Sequence, residues 1–564
     1  MKRYNTDVLI IGGGGAGLMA AYEATKYNVK VALVNKGKVQ KTGATIMAPG
    51  AIAAVDDRWK TAGDSKELHI KDTIIGGSYL NDQNMVEIMA KNSPSLVIEL
   101  ERMGAIFQRN KNGDKYMLRI GGGHTYPRCP YLEDRTGREM VRTIVSELKK
   151  RNVPFYENIM IIRLIKNNEN ITGATGINLN TLEICLFESK SIIIATGGAG
   201  SIYQNTDNSV DLTGDGYVLA LEAGVALRDM EFVQFYPIGF LYPPSLKGML
   251  GGLLYYCRLY NSKGERFMEK YDKERLELST RDRVSRAIIQ EVIEGRGTPL
   301  GGVYMDLTFN EPGFVKKMTP GLYETYINMG INPEKEFIEI APTVHFFMGG
   351  LSINSKWETS IKGLYGAGET CGGMHGGNRL SQNALAEILV SGAISGRNAA
   401  LNAINIKDNY LDPNEAHKEE ELLIKILSVK VGRKPIHIKK EVKRIMWDYV
   451  GVFRTGKSLS KALKEMRLLE TISVKVSSNS MYMNKEVIEA IESRNMIILA
   501  KCIILSALNR KESRAAHYRS DYPEIDNIKY LRNFYSTMKE GEIIIQDKKV
   551  DLKKLIPEVK IWKE

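Results

Sequence analysis

An α/β fold built around a Rossmann-like nucleotide-binding unit is predicted by three features of this 564-residue sequence. First, "DVLIIGGGGAGLMAAYEATKYNVKVALVNKG" sets Gly12, Gly14 and Gly17 in G-x-G-x-x-G order between two apolar runs. Second, two later apolar runs, "SIIIATGGAGSIY" and "IKGLYGAGET", also end in glycines. Third, "LLIKILSVKV", "EVKRIMWDYVGVF" and "LSKALKEMRLLE" carry the apolar spacing of antiparallel helices. At roughly 150 residues per domain the length allows about four domains, and since α/β units run larger, two or three are expected.

The first run reads as a strand at Val8–Ile11 and the second as a strand at 29–34, with a helix between them. Glycines let the backbone turn tightly and approach a pyrophosphate, while the free N–H groups of a new helix point at its charge. Gly12, Gly14, Gly15, Ala16 and Gly17 are therefore the predicted contacts. An acid often ends the second strand, where it takes a ribose hydroxyl; this chain has Asn35, an amide that can hydrogen-bond a ribose, and Lys36, an ammonium that can meet a phosphate. Three glycine-ended strands converging on one ligand suit a long, buried FAD better than a surface NAD. Ala195, Thr196 and Gly197 after the second such strand, and Gly368 and Glu369 after the third, join the predicted FAD contacts.

Composition narrows the class. An apolar fraction of 43% and a charged fraction of 26% are those of an ordinary globular protein. No apolar run approaches the ~20 residues that span a bilayer. "MKRYNTDVLI" leads straight into a strand, so no signal peptide is expected, and the predicted location is the cytoplasm or the inner face of a membrane through partner subunits. The net charge of +12 is spread over helical faces such as "HIKKEVKRIM", without a nucleic-acid module, and would steer anionic substrates or acidic electron carriers. The five cysteines are scattered with no C-x-x-C pair, so no metal or cluster site is expected here.

Longer motifs then carry a specific resemblance. "TGDGYVLALEAGVALRDMEFVQF", "STRDRVSRAI", "APTVHFFMGGLSIN", "GMHGGNRLSQNALAEILVSG" and "KESRAAHYRSDYPEIDN", in this order, resemble the flavoprotein subunit of succinate dehydrogenases and fumarate reductases, a family that includes L-aspartate oxidase. The likeness runs from Asp7 to about Asn527. It implies a FAD-binding domain (1–233 and 344–411) interrupted by an α+β capping domain (234–343), then a helical bundle (412–508) and a short C-terminal segment (509–564).

The resemblance also implies the chemistry, a hydride exchanged between flavin and one carbon of a carboxylate-activated C=C bond and a proton given to its neighbour. Arg281 is implied as the proton donor, unusual for a group with a pKa above 12. On residue chemistry alone Arg281 reads as a helix-start ion pair with Asp282. His345 and Arg379 are implied as substrate holders, Arg379 with a planar fork suited to a carboxylate. Further FAD contacts implied are Thr42, Gly43, Ala44, Thr45, Gly50, Asp215, Asn383, Ala384 and Leu385, with His345 and Arg379 also reaching the flavin.

Two departures stand out. In the membrane-bound members a histidine bonded covalently to the flavin occupies the position of Ala44, so FAD is expected to be held noncovalently, which favours reduction over succinate oxidation. Where the family has His-Pro-Thr-Gly and later Thr-Glu and Arg-Gly-Glu-Gly for a second carboxylate, this chain has Tyr236-Pro237-Ile238-Gly239 and "GMLGGLLYYCRLYNSKGERF". "EFVQFYPIGF" is predicted as a strand from Phe232 to Tyr236 stopped by Pro237, with Tyr236 and Ile238 lining the substrate pocket beside Tyr255 and Tyr256. Two substrate expectations follow: a less charged enoate, or a dicarboxylate gripped by a replacement cation such as Arg258 or Lys247. An amino-acid oxidase like L-aspartate oxidase and a FAD electron-transfer subunit of a larger iron–sulfur complex stay open, whereas adenylylsulfate reduction needs a different set of site residues. With no cluster cysteines or haem motif, electrons are expected from a separate iron–sulfur subunit or a ferredoxin-like carrier.

Overall fold

The computed structural model describes residues 1–407, 409 and 411–557. Strand β1 (Lys2–Ile11) enters the glycine loop, α1 (Gly15–Ala24) follows, and β2 (Val31–Asn35) returns parallel to β1. Side chains alternate across a strand, and β1 uses both faces: Val8 and Ile10 join one buried cluster, Leu9 and Ile11 another. Strand β3 (Ile184–Ile194) pairs parallel with β1 on its other side. These strands centre a seven-stranded sheet to which Leu364–Gly366 adds, parallel to β3. All three glycine-ended strands thus point the same way and finish at one edge, where nucleotides bind in open α/β sheets.

Helices cover both faces. On one lie α1, Thr136–Lys150 and Asn383–Asn405; on the other, Asp215–Ala223 and the helices Pro435–Tyr449, Gly456–Glu470 and Lys485–Asn509. The apolar spacing read in the last third of the sequence therefore forms helices, and their buried stripe packs on the nucleotide-binding sheet as well as on itself.

A second, four-stranded sheet stands over the first. It is framed by β4 (Val233–Phe240), from which the chain runs through helix α2 (Arg281–Ile293), and by β5 (Ile338–Phe347), which pairs antiparallel with β4. Contrary to expectation, Pro237 does not stop β4. Tyr236 opposes Thr343 and Gly239 opposes Ala341, so Pro237 and Ile238 share one opposing residue in a bulge. The imino nitrogen falls where no ladder donor is required.

A third sheet ties the C-terminal hairpin to the middle of the chain. The hairpin of Arg532–Lys539 and Glu542–Lys549 pairs with the short strand Leu227–Arg228, through Tyr535 opposite Arg228 and Ser536 opposite Leu227.

Candidate active site

At the edge where the glycine-ended strands finish lies a cleft. Gly12, Gly14, Gly15 and Ala16 line it, with Asn35, Lys36, Thr42, Gly43, Ala44, Thr45, Ala195, Thr196, Gly197, Asp215 and Glu369. Its backbone is shaped for close approach. Gly12 has φ +116°, and a Cβ there would fall 2.2 Å from the Ala195 carbonyl oxygen. The N-terminus of α1 opens into the cleft; Gly14 gives no side-chain cap and Gly15 N–H donates to Thr45 Oγ1 at 3.1 Å, which leaves the next N–H groups of the first turn for an anion. The glycine lining and the donor set suit the pyrophosphate and ribose groups of a dinucleotide.

Several predicted contacts take other partners. The Asn35 carbonyl oxygen accepts the Gly13 N–H at 2.9 Å and so braces the glycine loop. Lys36 is not a free phosphate ligand: its ammonium lies 2.8 Å from Asp215 and 2.6 Å from Glu492 of the helix Lys485–Asn509. Burial alone would lower the Lys36 pKa, but the two carboxylates outweigh it and raise it above the usual lysine value. Glu492 was invisible as a site neighbour in the sequence. Burial also pushes the Glu369 carboxyl up to about 8 while one oxygen accepts the Phe347 N–H at 3.0 Å.

Other predicted contacts stand one layer back. A Cβ on Gly17 would sit 1.9 Å from the Gly12 carbonyl oxygen, and one on Gly368 would sit 2.8 Å from the Ala16 Cβ. Gly50 lies against Gln382, Asn383 bonds His69 and Thr73, Ala384 packs by Phe232 and Phe346, and Leu385 belongs to the core.

Arg281, Arg379 and His345 come together between the sheets, and Gln234 of β4 joins the two arginines. Its carbonyl oxygen accepts from Arg379 Nη2 at 2.9 Å and from Arg281 Nη1 at 3.4 Å, while its amide donates to the Arg379 carbonyl at 2.8 Å. Arg281 Nη2 donates to Ser381 Oγ at 2.9 Å. The expected Arg281–Asp282 pair does not form; Asp282 pairs with Arg286 at 3.0 Å one helical turn on. Neither Arg281 nor Arg379 has a carboxylate within salt-bridge distance among the described residues, and the Nε of each is buried without a partner. Burial, reinforced by Arg281, pushes the Arg379 guanidinium down to about 9, still cationic at neutral pH. A buried Arg379 and a half-buried Arg281, both without a carboxylate partner and sharing one neutral amide, form a site for an anion.

His345 gives Nδ1 to Asp207 at 2.6 Å, and its ring lies 5.5 Å from that of Tyr236. Tyr236 in turn lies under the Arg281 guanidinium, 4.8 Å from ring centre to carbon. Ile238 sits deeper, fully buried in the cap core against Gly251. The Tyr255 hydroxyl abuts Gly122, which bonds to Ser381, whereas Tyr256 is exposed and packs on Phe314. His375 bonds Glu387 at 2.9 Å and lies edge-on to Phe346, whose other neighbour is the Arg379 guanidinium. Gln234, Ser381 and Asp207 were missed as site residues. Gln234 stands two positions from Tyr236 on the same strand, and Ser381 stands two positions from Arg379 in the turn before the helix Asn383–Asn405.

Comparison with known proteins places this geometry. Residues 7–385 match the model of the FAD binding domain, and residues 439–562 that of the fumarate reductase flavoprotein C-terminal domain. The chain belongs to the fumarate reductase and succinate dehydrogenase flavoprotein family. It is 39% identical over 534 residues to one subunit of the fumarate reductase (CoM/CoB) of Methanothermobacter marburgensis, covering 92% of this chain and 95% of that one. An uncharacterized FAD-dependent oxidoreductase of Methanocaldococcus jannaschii is 40% identical over 558 residues, 98% of each chain. Among solved structures, E. coli quinol fumarate reductase superposes with a TM-score of 0.93 at 30% identity, covering 99% of this chain and 98% of that one. The protein is thus a FAD-dependent oxidoreductase of the fumarate reductase and succinate dehydrogenase type. None of its helices, among the described residues, is long and apolar enough to cross a membrane.

Proposed function

We propose that this flavoprotein reduces an enoate that carries one carboxylate and an apolar end. The observation that carries this reading is Tyr236: an aromatic face lies under Arg281 and beside His345, on the side of the cluster where the family keeps a histidine for a second carboxylate. Neither replacement cation stands there. Arg258 stacks on Phe309 at 4.1 Å, and Lys247 is exposed at the end of a surface turn. A second carboxylate pressed against Tyr236 would lose water without gaining a cation, a cost of several kcal/mol.

FAD supplies the hydride when bound. The chain supplies the rest: Arg379 and His345 hold the carboxylate, and the apolar wall of Tyr236, the Tyr255 ring and the cap (234–343) keeps water out. Arg281, held by Gln234 and Ser381, gives its proton to the carbon beside the one that receives hydride. The FAD is held noncovalently, since Ala44, at the position of the family's flavin-bonded histidine, lines the cleft with a methyl group that cannot form that bond. After acid precipitation the yellow colour is expected to stay in the supernatant; colour in the pellet would refute noncovalent binding.

Electrons reach the flavin from a partner iron–sulfur protein. The five cysteines of this chain are all buried and unpaired, and no cluster of metal-ligating side chains exists among the described residues. The test of the substrate is a panel of enoates given to dye-reduced enzyme. Crotonate and longer 2-enoates are expected to turn over with a kcat/KM at least tenfold above that of fumarate. Fumarate saturating at the lower concentration would overturn the monocarboxylate assignment.

A further inference from the structure

Asp207 has no part in the chemistry above, although its partner His345 holds the carboxylate there. Asp207 lies in the loop before Asp215, far from His345 in sequence, yet that loop is zipped to His345's own strand. Val344 N–H donates to the Asn205 carbonyl at 3.0 Å, Asp207 N–H to the Val344 carbonyl at 3.2 Å, and Thr206 Oγ1 to the same carbonyl at 2.9 Å. Asn208 donates to Asp207 Oδ1 at 2.9 Å and to the His345 carbonyl at 3.1 Å. Each carboxylate oxygen of Asp207 therefore has one assigned partner, and Oδ2 faces His345 Nδ1 at 2.6 Å with only 6% of the Asp207 side chain exposed. A carboxylate on Nδ1 selects the Nδ1–H tautomer and leaves Nε2 as the proton acceptor. Nε2 has no protein partner among the described residues and is not buried.

The charged and titratable groups around the imidazole compete. Arg379 and Arg281 disfavour an imidazolium, Asp207 favours it, the Tyr236 phenol is neutral, and Glu369 lies behind the strand on the Phe347 N–H. Burial tips the balance, and His345 is held below the usual histidine range. In the free site it is neutral. An anion entering beside it adds one more negative charge and so pushes the balance toward the imidazolium.

We propose that Asp207 is a positioning residue that makes His345 take up a proton on Nε2 when a carboxylate substrate binds. The proton comes from solvent, one per substrate bound, and stays on the imidazole for as long as the anion is held. The inference rests on the carboxylate reading of the site but not on which carboxylate. Removing Asp207 lowers the imidazole pKa both free and bound, so affinity falls and its dependence on pH shifts to lower pH.

The test is calorimetric titration of the FAD-loaded protein with crotonate at pH 7.5, repeated in buffers of different ionisation enthalpy, which counts protons taken up. Wild type is expected to take up close to one proton. Asp207→Asn is expected to take up less than a third of that and to bind crotonate at least tenfold more weakly, with FAD content unchanged, and Asp207→Glu is expected to restore part of both. Wild type binding with no proton uptake, or Asp207→Asn retaining full uptake, overturns the proposal. Should Asp207→Asn fail to fold, the wild-type count decides alone. If crotonate does not bind while fumarate does, the enoate assignment fails and the same titration with fumarate still decides the role of Asp207; if neither binds, both proposals fall.

Discussion

Gly17→Ala is expected to yield a protein that purifies with less than a tenth of the wild-type FAD. The added Cβ would stand 1.9 Å from the carbonyl oxygen of Gly12, a backbone atom in a loop that itself touches the Ala195 carbonyl. Contact requires more than 3 Å, so α1 and the end of β1 must separate by roughly an ångström or more. The first-turn N–H groups of α1 then no longer aim at the pyrophosphate, and losing even one charge-assisted hydrogen bond costs about 1.5–3 kcal/mol, or ten- to a hundredfold in affinity. The ratio of flavin to protein absorbance after gel filtration measures this. Full flavin content in the variant would mean that this loop does not cradle the cofactor.

Arg281→Ala is expected to lower kcat by about 10³-fold or more while leaving FAD content and substrate affinity within a few fold, because loss of a proton donor acts on the transition state. Arg379→Ala is expected to act differently. Arg379 shares Gln234 with Arg281 and is the more deeply set carboxylate fork, so its loss removes about two charge-assisted bonds and raises KM by about 10²-fold or more. Steady-state assays with dye-reduced enzyme and crotonate separate the two. Equal effects of both variants on KM alone would remove Arg281 from the proton-transfer step.

Which parts of this site the sequence disclosed follows from the range of the interactions. The glycine loop was legible because a tight turn, a helix start and two strands lie within some thirty residues and each leaves a local mark. Arg281, His345 and Arg379 were nameable because each sits in a distinctive motif, although their meeting is a property of the fold. Asp207 left no such mark: it is one acid in a polar loop, and only the pairing of that loop with β5 brings it to His345. Lys36 illustrates the opposite error. Its position after β2 suggested a phosphate ligand, but a lysine's partner depends on which carboxylate the rest of the chain delivers, and a helix hundreds of residues later delivers Glu492. Pro237 was misjudged because a proline's effect on a strand depends on the partner strand's register, which composition does not encode.

The closure of the third sheet also sets an order of assembly. Leu227–Arg228 can meet Gly350–Leu351 first but has to wait for Arg532–Lys539 on its other side, and Lys36 can meet Asp215 first but has to wait for Glu492. A ribosome-bound chain that has already made every glycine of the nucleotide loop therefore still lacks one of the two carboxylates that hold Lys36 and one of the two strands that pair with Leu227–Arg228. The wall of the cofactor cleft around Lys36 is thus completed last, by the C-terminal part of the chain.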